Sequence, residues 1–144
     1  MDTMSAFRVR LADWERERDA MRVVRSEVFI REQAVPQDLE WDDKDPLCVH
    51  ALVVDSDGTP IGTGRLAPDG KIGRMAVLPE WRGSGVGTAI LEFLVVCARD
   101  RGLTECYMNA QSHALDFYRQ HGFEAYDAEF MEAGIPHRHM KRSL

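Results

Sequence analysis

Residues 79–91 read PEWRGSGVGTAIL, and this stretch decides how the rest of the chain is interpreted. Gly83, Gly85 and Gly87 lie two residues apart between a strand-like apolar run and a helix-like one. The first N–H groups of a helix have no intrahelical partner and carry partial positive charge. Glycines let the backbone approach an anion closely and turn successive N–H groups towards one point. The stretch therefore predicts a phosphate site, and a Gly-rich turn before an ordinary capped helix is the alternative.

The segments around this stretch alternate between strand and helix patterns. Phe7, Val9 and Leu11 alternate with polar residues and predict a half-buried first strand. A long helix then begins after Asp13 as N-cap and ends at Val35-Pro36. The other predicted elements are, in order, strand LCVHALVV as a central strand, strands PIGTGRLA and KIGRMAVL completing an antiparallel meander, a helix from Val86 to Gly102, strand TECYMNA, short helix SHALDFYRQ, and a final pair of strands around Gly134-Ile135-Pro136. This order predicts an α/β layer fold with a mixed sheet.

Length and composition are those of one cytosolic domain. The 144 residues, 44% of them hydrophobic, suffice for a single core, so we expect one domain over residues 1–144. No apolar run approaches the roughly 18 residues that span a bilayer, and the N-terminus lacks the apolar core of a signal peptide, so we expect a cytoplasmic protein without a membrane partner. Cys48, Cys97 and Cys106 lie in apolar surroundings without metal-ligand spacing, which favours reduced core thiols and no metal site.

The charge pattern limits the class of partner. A net charge of −6 disfavours a nucleic-acid partner, because binding to phosphates needs a positive field. Acidic residues concentrate in DLEWDDKD, residues 38–45. Such a run is most often a solvated loop, and the alternative is a surface that attracts a cationic substrate.

Two common phosphate sites fit the glycines poorly. A P-loop needs a lysine followed by Ser or Thr after its last glycine, whereas Thr88-Ala89 follow Gly87 here. The dinucleotide fingerprint needs G-x-G-x-x-G, whereas this run reads G-x-G-x-G, and the next strand ends in Asn109 instead of an acidic ribose ligand.

The remaining pattern, Arg82-x-x-Gly85-x-Gly87 between a strand and an amphipathic helix, resembles the pyrophosphate loop of the GNAT superfamily of acyl-CoA-dependent N-acetyltransferases. The run FYRQHGFEA, residues 117–125, is similar to the helix-then-strand signature of that family. The order of elements across nearly the whole chain agrees as well. Three further features resemble the ElaA-like branch: VFIREQ at 28–33, His50, and EAGIPHRHM at 132–140.

The resemblance implies a GNAT fold, with a mixed, mostly antiparallel central sheet and flanking helices. Parallel strands 72–78 and 104–110 would splay apart, and acetyl-CoA would enter the gap, bound by backbone groups of the first strand and by the glycine loop. Many members have Asn seven residues before the tyrosine, where this chain has Gln111. The implied cofactor-binding residues are Met75, Ala76, Val77, Arg82, Gly83, Ser84, Gly85, Val86, Gly87, Thr88, Asn109, Gln111, Phe117 and Tyr118.

The resemblance also implies direct attack by a primary amine, without a covalent enzyme intermediate. The N–H of Val77 would polarise the thioester carbonyl. Tyr118, a phenol that stays protonated at neutral pH, would protonate the leaving thiolate.

The sequence gives several candidates for the base and for the acceptor pocket. His137, Glu132 and Asp42 are candidates for the base, because the final strands and the acidic loop flank the acceptor in the resembled fold. Glu32 and Gln33 are candidates for the acceptor pocket, and a polar helix end explains them equally well. His50, inside an apolar strand, is expected to be a hydrogen-bonded core histidine.

The predicted function is therefore acetyl transfer from acetyl-CoA to a primary amine of a small molecule or peptide. A non-catalytic acyl-CoA-binding module and a dinucleotide-binding oxidoreductase fragment are the alternatives. Exposed edges of the final strands favour a homodimer. Acceptor loops vary freely on such a scaffold, so the sequence does not identify the amine.

Overall fold

The computed structural model describes residues 6–34 and 44–144. Its seven strands in that range are β1 (Phe7–Ala12), β2 (Val49–Asp55), β3 (Pro60–Leu66), β4 (Ile72–Val77), β5 (Glu105–Gln111), β6 (Glu124–Glu132) and β7 (Ile135–Ser143). The helices are α1 (Trp14–Arg25), a π-helix (Ser26–Glu32) that continues it, α2 (Val86–Asp100) and α3 (Leu115–Gln120). Short 3-10 turns occupy Asp45–Leu47, Pro79–Trp81 and Ser112–Ala114. Within these residues no helix is both long and apolar enough to cross a membrane.

The strands form two sheets of order β1-β2-β3-β4 and β5-β7-β6, and every pairing inside each sheet is antiparallel. The predicted meander is confirmed. The predicted α/β fold with flanking helices is confirmed as well, and the parallel contact between β4 and β5 is a bridge from Lys71 to Tyr107. A doubly wound parallel sheet, which a dinucleotide-binding fragment requires, does not occur in the described part of the chain.

Helices cover both faces of the first sheet. Successive residues of a strand point to opposite faces, and in β2 the side chains of Ala51 and Val53 join the core under α2. Leu52 and Val54 join a second cluster with Trp14 of α1. Because β2 is buried on both faces along most of its length, its sequence is the continuous apolar run that predicted a central strand.

The N-terminal helix begins where the sequence predicts and changes its hydrogen bonding along its length. The side chain of Asp13 accepts a hydrogen bond from the N–H of Glu15, at 3.0 Å, and caps α1. The helix then widens into the π-helix, which ends at Glu32 with Gln33 as its C-cap. The predicted end at Val35-Pro36 lies outside the described residues.

Two details of the sequence interpretation were wrong. Leu11 was expected to be half-buried but is 58% exposed, since the edge strand β1 extends beyond the core cluster that covers Phe7 and Val9. The final turn consists of Ala133 and Gly134, both with positive φ, and Ile135 and Pro136 already belong to β7. Two residues with positive φ close a hairpin without further residues, which explains the earlier start of the strand.

The two sheets part immediately after their contact. The N–H of Tyr107 donates to the carbonyl of Gly70 at 3.1 Å, and the hydroxyl of Tyr107 donates to Asp69. A Cβ at Gly70 would lie 2.6 Å from the carbonyl oxygen of Glu105, so glycine permits this close approach. Beyond it, β4 and β5 diverge and leave a wedge-shaped gap between the sheets.

Candidate functional site

A cavity of about 1360 Å³ occupies the gap between β4 and β5. Thirteen of the site residues expected from the sequence line it: Glu32, Gln33, Met75, Ala76, Val77, Arg82, Gly87, Asn109, Gln111, Phe117, Tyr118, Glu132 and His137. Five residues of the glycine loop do not line it, namely Gly83, Ser84, Gly85, Val86 and Thr88. The base candidate Asp42 lies outside the described residues.

A β-bulge shapes the wall that β4 gives to the cavity. Thr63 pairs with Ala76 and Arg65 pairs with Gly73, so two residues of β4, Arg74 and Met75, oppose one residue of β3. Arg74 has a φ of +50°, in the left-handed region that non-glycine residues rarely adopt. The bulge interrupts the ladder at the level where the gap between the sheets is open.

Ladder geometry directs the peptide groups of Val77 into the gap. Val77 pairs with Gly62, and the next pair is bonded by the N–H of Leu78, which donates to the carbonyl of Ile61 at 2.9 Å. Because bonded and non-bonded pairs alternate in antiparallel sheets, the N–H and C=O of Val77 point away from β3. The Nε of Arg82, which follows β4 in the sequence and also lines the cavity, donates to this carbonyl at 3.1 Å.

The start of α2 has the backbone geometry expected of an anion site. Gly85 is the N-cap residue, with a φ of +94°, and among the described residues no side chain caps this end of the helix. The first backbone hydrogen bond of the helix runs from Ala89 to the carbonyl of Gly85, at 3.0 Å. In the described part of the chain, the N–H groups of Val86, Gly87 and Thr88 therefore have no intrahelical partner.

Neighbouring side chains fix the loop that carries these glycines. The hydroxyl of Ser84 donates to the carbonyl of Trp81, and the hydroxyl of Thr88 lies 3.3 Å from Nε2 of His121. A Cβ at Gly87 would lie 3.4 Å from the ring of Phe117, so glycine lets α2 and α3 approach each other here. Phe117 thus packs against the start of α2 and also lines the cavity.

Arg82, expected to face a phosphate, contacts a carboxylate in this structure. Its two Nη atoms lie 2.6 Å from the two carboxylate oxygens of Glu32, at the end of the π-helix. The hydrogen bonds from Arg82 hold the pKa of Glu32 below its usual range, and those to Glu32 raise the pKa of Arg82. The sequence did not predict this pair, since it joins two candidates assigned to different ligands.

Tyr118 extends from α3 towards the bulge of β4. Its hydroxyl lies 3.8 Å from Sδ of Met75, and its ring contacts the rings of Phe117 and Phe123. Burial raises the pKa of the hydroxyl to about 12. The phenol therefore keeps its proton throughout the physiological pH range and acts as a hydrogen-bond donor at the cavity wall.

An amide pair closes the gap beside Arg82. Gln111 Nε2 donates to Gln33 Oε1 at 2.9 Å, which joins the end of β5 to the cap of the π-helix. Nε2 of His113 lies 2.6 Å from Gln111 Oε1. Gln111, the residue that departs from the family pattern, thus bridges the two walls of the cavity through its longer side chain.

A polar chain crosses the three C-terminal strands. Asn109, expected to bind the cofactor, donates from Nδ2 to Glu132 Oε1 at 3.1 Å. Nδ1 of His139 lies 2.8 Å from Asn109 Oδ1. Nε2 of His137 lies 3.6 Å from Glu132 Oε2, and its Nδ1 lies 2.6 Å from the carbonyl oxygen of Ile135.

His139 was not among the residues expected from the sequence. The run PHRHM contained the signal, because residues two apart in a strand share one face and His137 is a candidate for the base. His50 is confirmed as a core histidine: it is 2% exposed, its Nε2 lies 2.7 Å from the carbonyl oxygen of Asp45, and its ring stacks on Trp14. Burial lowers the pKa of His50.

The expectation for the thiols is confirmed in part. Cys106 is buried, whereas Cys97 and Cys48 are partly exposed, and none forms a disulfide. Burial raises the pKa of both Cys97 and Cys106, which opposes nucleophilic reactivity. Cys48 lines the cavity instead of joining the core.

Comparison with known proteins identifies the family. The sequence model of the family described as "Acetyltransferase (GNAT) domain" matches residues 17–144. The chain belongs to the GNAT acetyltransferase family. The Bacillus subtilis protein named uncharacterized N-acetyltransferase YjcF is 39% identical over 123 residues, which cover 83% of this chain and 87% of that protein.

Solved GNAT structures agree with the architecture. An acyl-CoA N-acyltransferase from Pseudomonas aeruginosa is 29% identical and superposes with a TM-score of 0.85, covering 95% of this chain and 99% of that one. Escherichia coli ElaA is 25% identical, with a TM-score of 0.83 over 94% of this chain and 99% of that one. The resemblance to GNAT proteins and to ElaA is thereby confirmed.

Proposed function

We propose that this GNAT protein transfers an acetyl group from acetyl-CoA to a primary amine of a small molecule or peptide by direct attack. The observation that supports this most directly is the convergence of two donors on one cavity. The N–H of Val77 points into the gap from β4, and the hydroxyl of Tyr118 approaches the same strand from α3. Acetyl transfer needs one donor at the carbonyl oxygen and one at the departing sulfur.

The residues present fit an acyl-CoA. The N–H groups that follow Gly85 at the start of α2 have no intrahelical partner and suit a pyrophosphate. A Cβ at Gly83 would meet no atom within 4 Å, so the space beside the loop is open. The free edge of β4 beyond the bulge offers peptide groups to an extended chain, as a neighbouring strand would. When bound, acetyl-CoA would supply the activated acetyl thioester.

Each proposed role follows from where the group lies. The N–H of Val77 would donate to the carbonyl oxygen, where one well-placed donor is worth about 2.7–4 kcal/mol of barrier. The hydroxyl of Tyr118 would hold the proton that is donated to the departing sulfur. The raised pKa of Tyr118 keeps that proton in place before the reaction. Cys97 and Cys106 do not line the cavity, and their raised pKa values oppose nucleophilic reactivity.

A thermal-shift panel followed by a turnover assay tests this function. Acetyl-CoA at 100 times its Kd should stabilise the folded protein by about 2.7 kcal/mol, and NAD should not stabilise it. Release of free thiol on adding polyamines, amino acids, aminoglycosides or peptide N-termini would then demonstrate transfer. Stabilisation by acetyl-CoA without thiol release from any amine would instead support the non-catalytic acyl-CoA-binding alternative.

A further inference from the structure

We propose that His137 is the base that removes the proton from the acceptor amine, with Glu132 as its counter-charge and Asn109 as a positioning residue. This inference rests on the proposed function. Asn109, Glu132 and His137 line the cavity that Val77 and Tyr118 also line. The three residues come from three different strands, β5, β6 and β7, that pair side by side.

Hydrogen bonding fixes the tautomer of His137. A carbonyl oxygen only accepts hydrogen bonds, so the 2.6 Å contact with the carbonyl of Ile135 places the proton of the neutral ring on Nδ1. Nε2 then carries a lone pair, as a base requires. The 3.6 Å separation between Nε2 and Glu132 Oε2 exceeds hydrogen-bonding distance, which agrees with two facing acceptors. A proton taken up on Nε2 would convert this contact into an ion pair.

The donor and the acceptor of each hydrogen bond from Glu132 through Asn109 to His139 are also determined. A carboxylate accepts only, so Asn109 must present its Nδ2 to Glu132 and its Oδ1 to His139. Nδ1 of His139 is therefore protonated. Asn109 thus holds Glu132 through one carboxylate oxygen, Oε1, and leaves the other, Oε2, facing His137.

Ring stacking holds both histidines in place. The ring of Phe130 stacks on that of His139, at 4.4 Å, and on that of His137, at 5.9 Å, with interplanar angles of 25° and 29°. His137 is 6% exposed, whereas the side chain of Glu132 is 46% exposed. The pair therefore joins a shielded ring nitrogen to a carboxylate in contact with solvent, which provides an exit for the proton.

The proton balance defines what the pair must do. An ammonium and a thioester give an amide, a thiol and one released proton. His137 Nε2 takes the first ammonium proton, and the freed lone pair forms the C–N bond as the C–S bond breaks. A second proton of the nitrogen replaces the one that Tyr118 gives to the sulfur, and the third remains on the amide. The proton on His137 leaves past Glu132 to water.

A measurement without ligand tests the geometry. Long-range ¹H–¹⁵N spectra at pH 8, assigned by comparison with His137→Asn, should show the ring of His137 with its proton on Nδ1. Glu132→Gln should keep this tautomer, because the carbonyl of Ile135 fixes it. A proton on Nε2 would overturn the proposal.

A kinetic comparison tests the role in catalysis. With acetyl-CoA and the amine that turns over fastest in the screen, His137→Asn should lower kcat about 100-fold or more. Asn109→Ala should lower kcat about tenfold, and Glu132→Gln should also lower kcat, because it removes the counter-charge of the protonated ring. Glu129→Gln is the matched control, because Glu129 lies on β6 and bonds to Ser112 without lining the cavity.

The outcomes separate the base from the function itself. If the parent enzyme acetylates an amine but His137→Asn retains its kcat, the base assignment is wrong and the proposed function stands. If the parent enzyme releases no thiol with any amine of the panel, the proposed function is wrong, and the assignment of His137 is wrong as well. Thermal shift by acetyl-CoA, unchanged in His137→Asn, would show that the variant is folded and retains donor binding.

Discussion

Arg82 and Glu32, fifty residues apart in sequence, hold each other through two contacts of 2.6 Å, and Arg82 also donates to the carbonyl of Val77. One guanidinium therefore connects the end of the π-helix, the end of β4 and the glycine loop. Within the proposed function, these are the acceptor wall, the thioester site and the phosphate site. The pair places a negative charge beside the position expected for a polyanion.

Glu32→Gln should tighten the binding of coenzyme A. The substitution removes a carboxylate that occupies Arg82 and that would repel phosphates. Both side chains are about two-fifths exposed, so the pair is screened by solvent, and we expect the Kd to fall only about two- to fivefold. Isothermal titration at low and high salt measures this, and the gain should shrink as salt rises.

The matched control for that substitution lies one turn earlier on the same helix. Glu27 bonds to Arg31 at 2.8 Å, and neither residue lines the cavity. Glu27→Gln should therefore leave the Kd for coenzyme A unchanged. Weaker binding in Glu32→Gln would show that Glu32 holds Arg82 in its binding position instead of competing with the ligand.

Tyr118→Phe should lower kcat about 100-fold with little change in the Kd for acetyl-CoA, because only the proton donor is removed. Since burial raises the pKa of Tyr118 to about 12, the parent enzyme should show no loss of activity from this group up to about pH 10. Steady-state rates over pH 6–10 provide the test. An unaltered kcat in the variant would exclude Tyr118 from the reaction.

Local patterns were sufficient to predict most of the fold. The cap at Asp13, the meander and the helix that begins at Val86 each follow from side-chain periodicity or a turn residue, and the structure contains all three. The exposure of Leu11 could not be predicted, because it depends on how far a helix from elsewhere in the chain extends over the edge strand.

The candidate site was predictable as a set of residues but not as a network. The glycines, Val77 and Tyr118 belong to continuous motifs, whereas the contacts of Arg82 with Glu32 and of Gln111 with Gln33 join segments far apart in sequence. Such pairs depend on the register of strands and the direction of long side chains. Neither property is encoded in local periodicity.

Asp45→Asn should destabilise the protein by about 3 kcal/mol or more, because it removes the negative charge of a buried cluster. Asp45 is 1% exposed and accepts from Arg25 at 3.1 Å and from Arg65 at 2.8 Å. Urea unfolding measures the change. The exposed pair of Asp116 and Arg119 provides the control, and Asp116→Asn should change the free energy of unfolding by less than about 0.5 kcal/mol. Equal stabilities for the two variants would contradict a structural role for the buried cluster.

Gly85→Asp should abolish most of the affinity for coenzyme A, and Gly58→Asp is its matched control. Both glycines have left-handed φ angles, +94° and +83°, and both have room for a Cβ, so each substitution should cost about 1–2 kcal/mol of stability through backbone strain. Only Gly85 precedes the unpaired N–H groups of α2, where a new carboxylate would occupy and repel the phosphate position. We therefore expect the Kd to rise at least tenfold, about 1.4 kcal/mol, in Gly85→Asp and to stay constant in Gly58→Asp.

Gly85→Asn, which tolerates the same φ without a charge, should bind more tightly than Gly85→Asp. If Gly85→Asp bound coenzyme A as tightly as the parent, the start of α2 would not be the phosphate site.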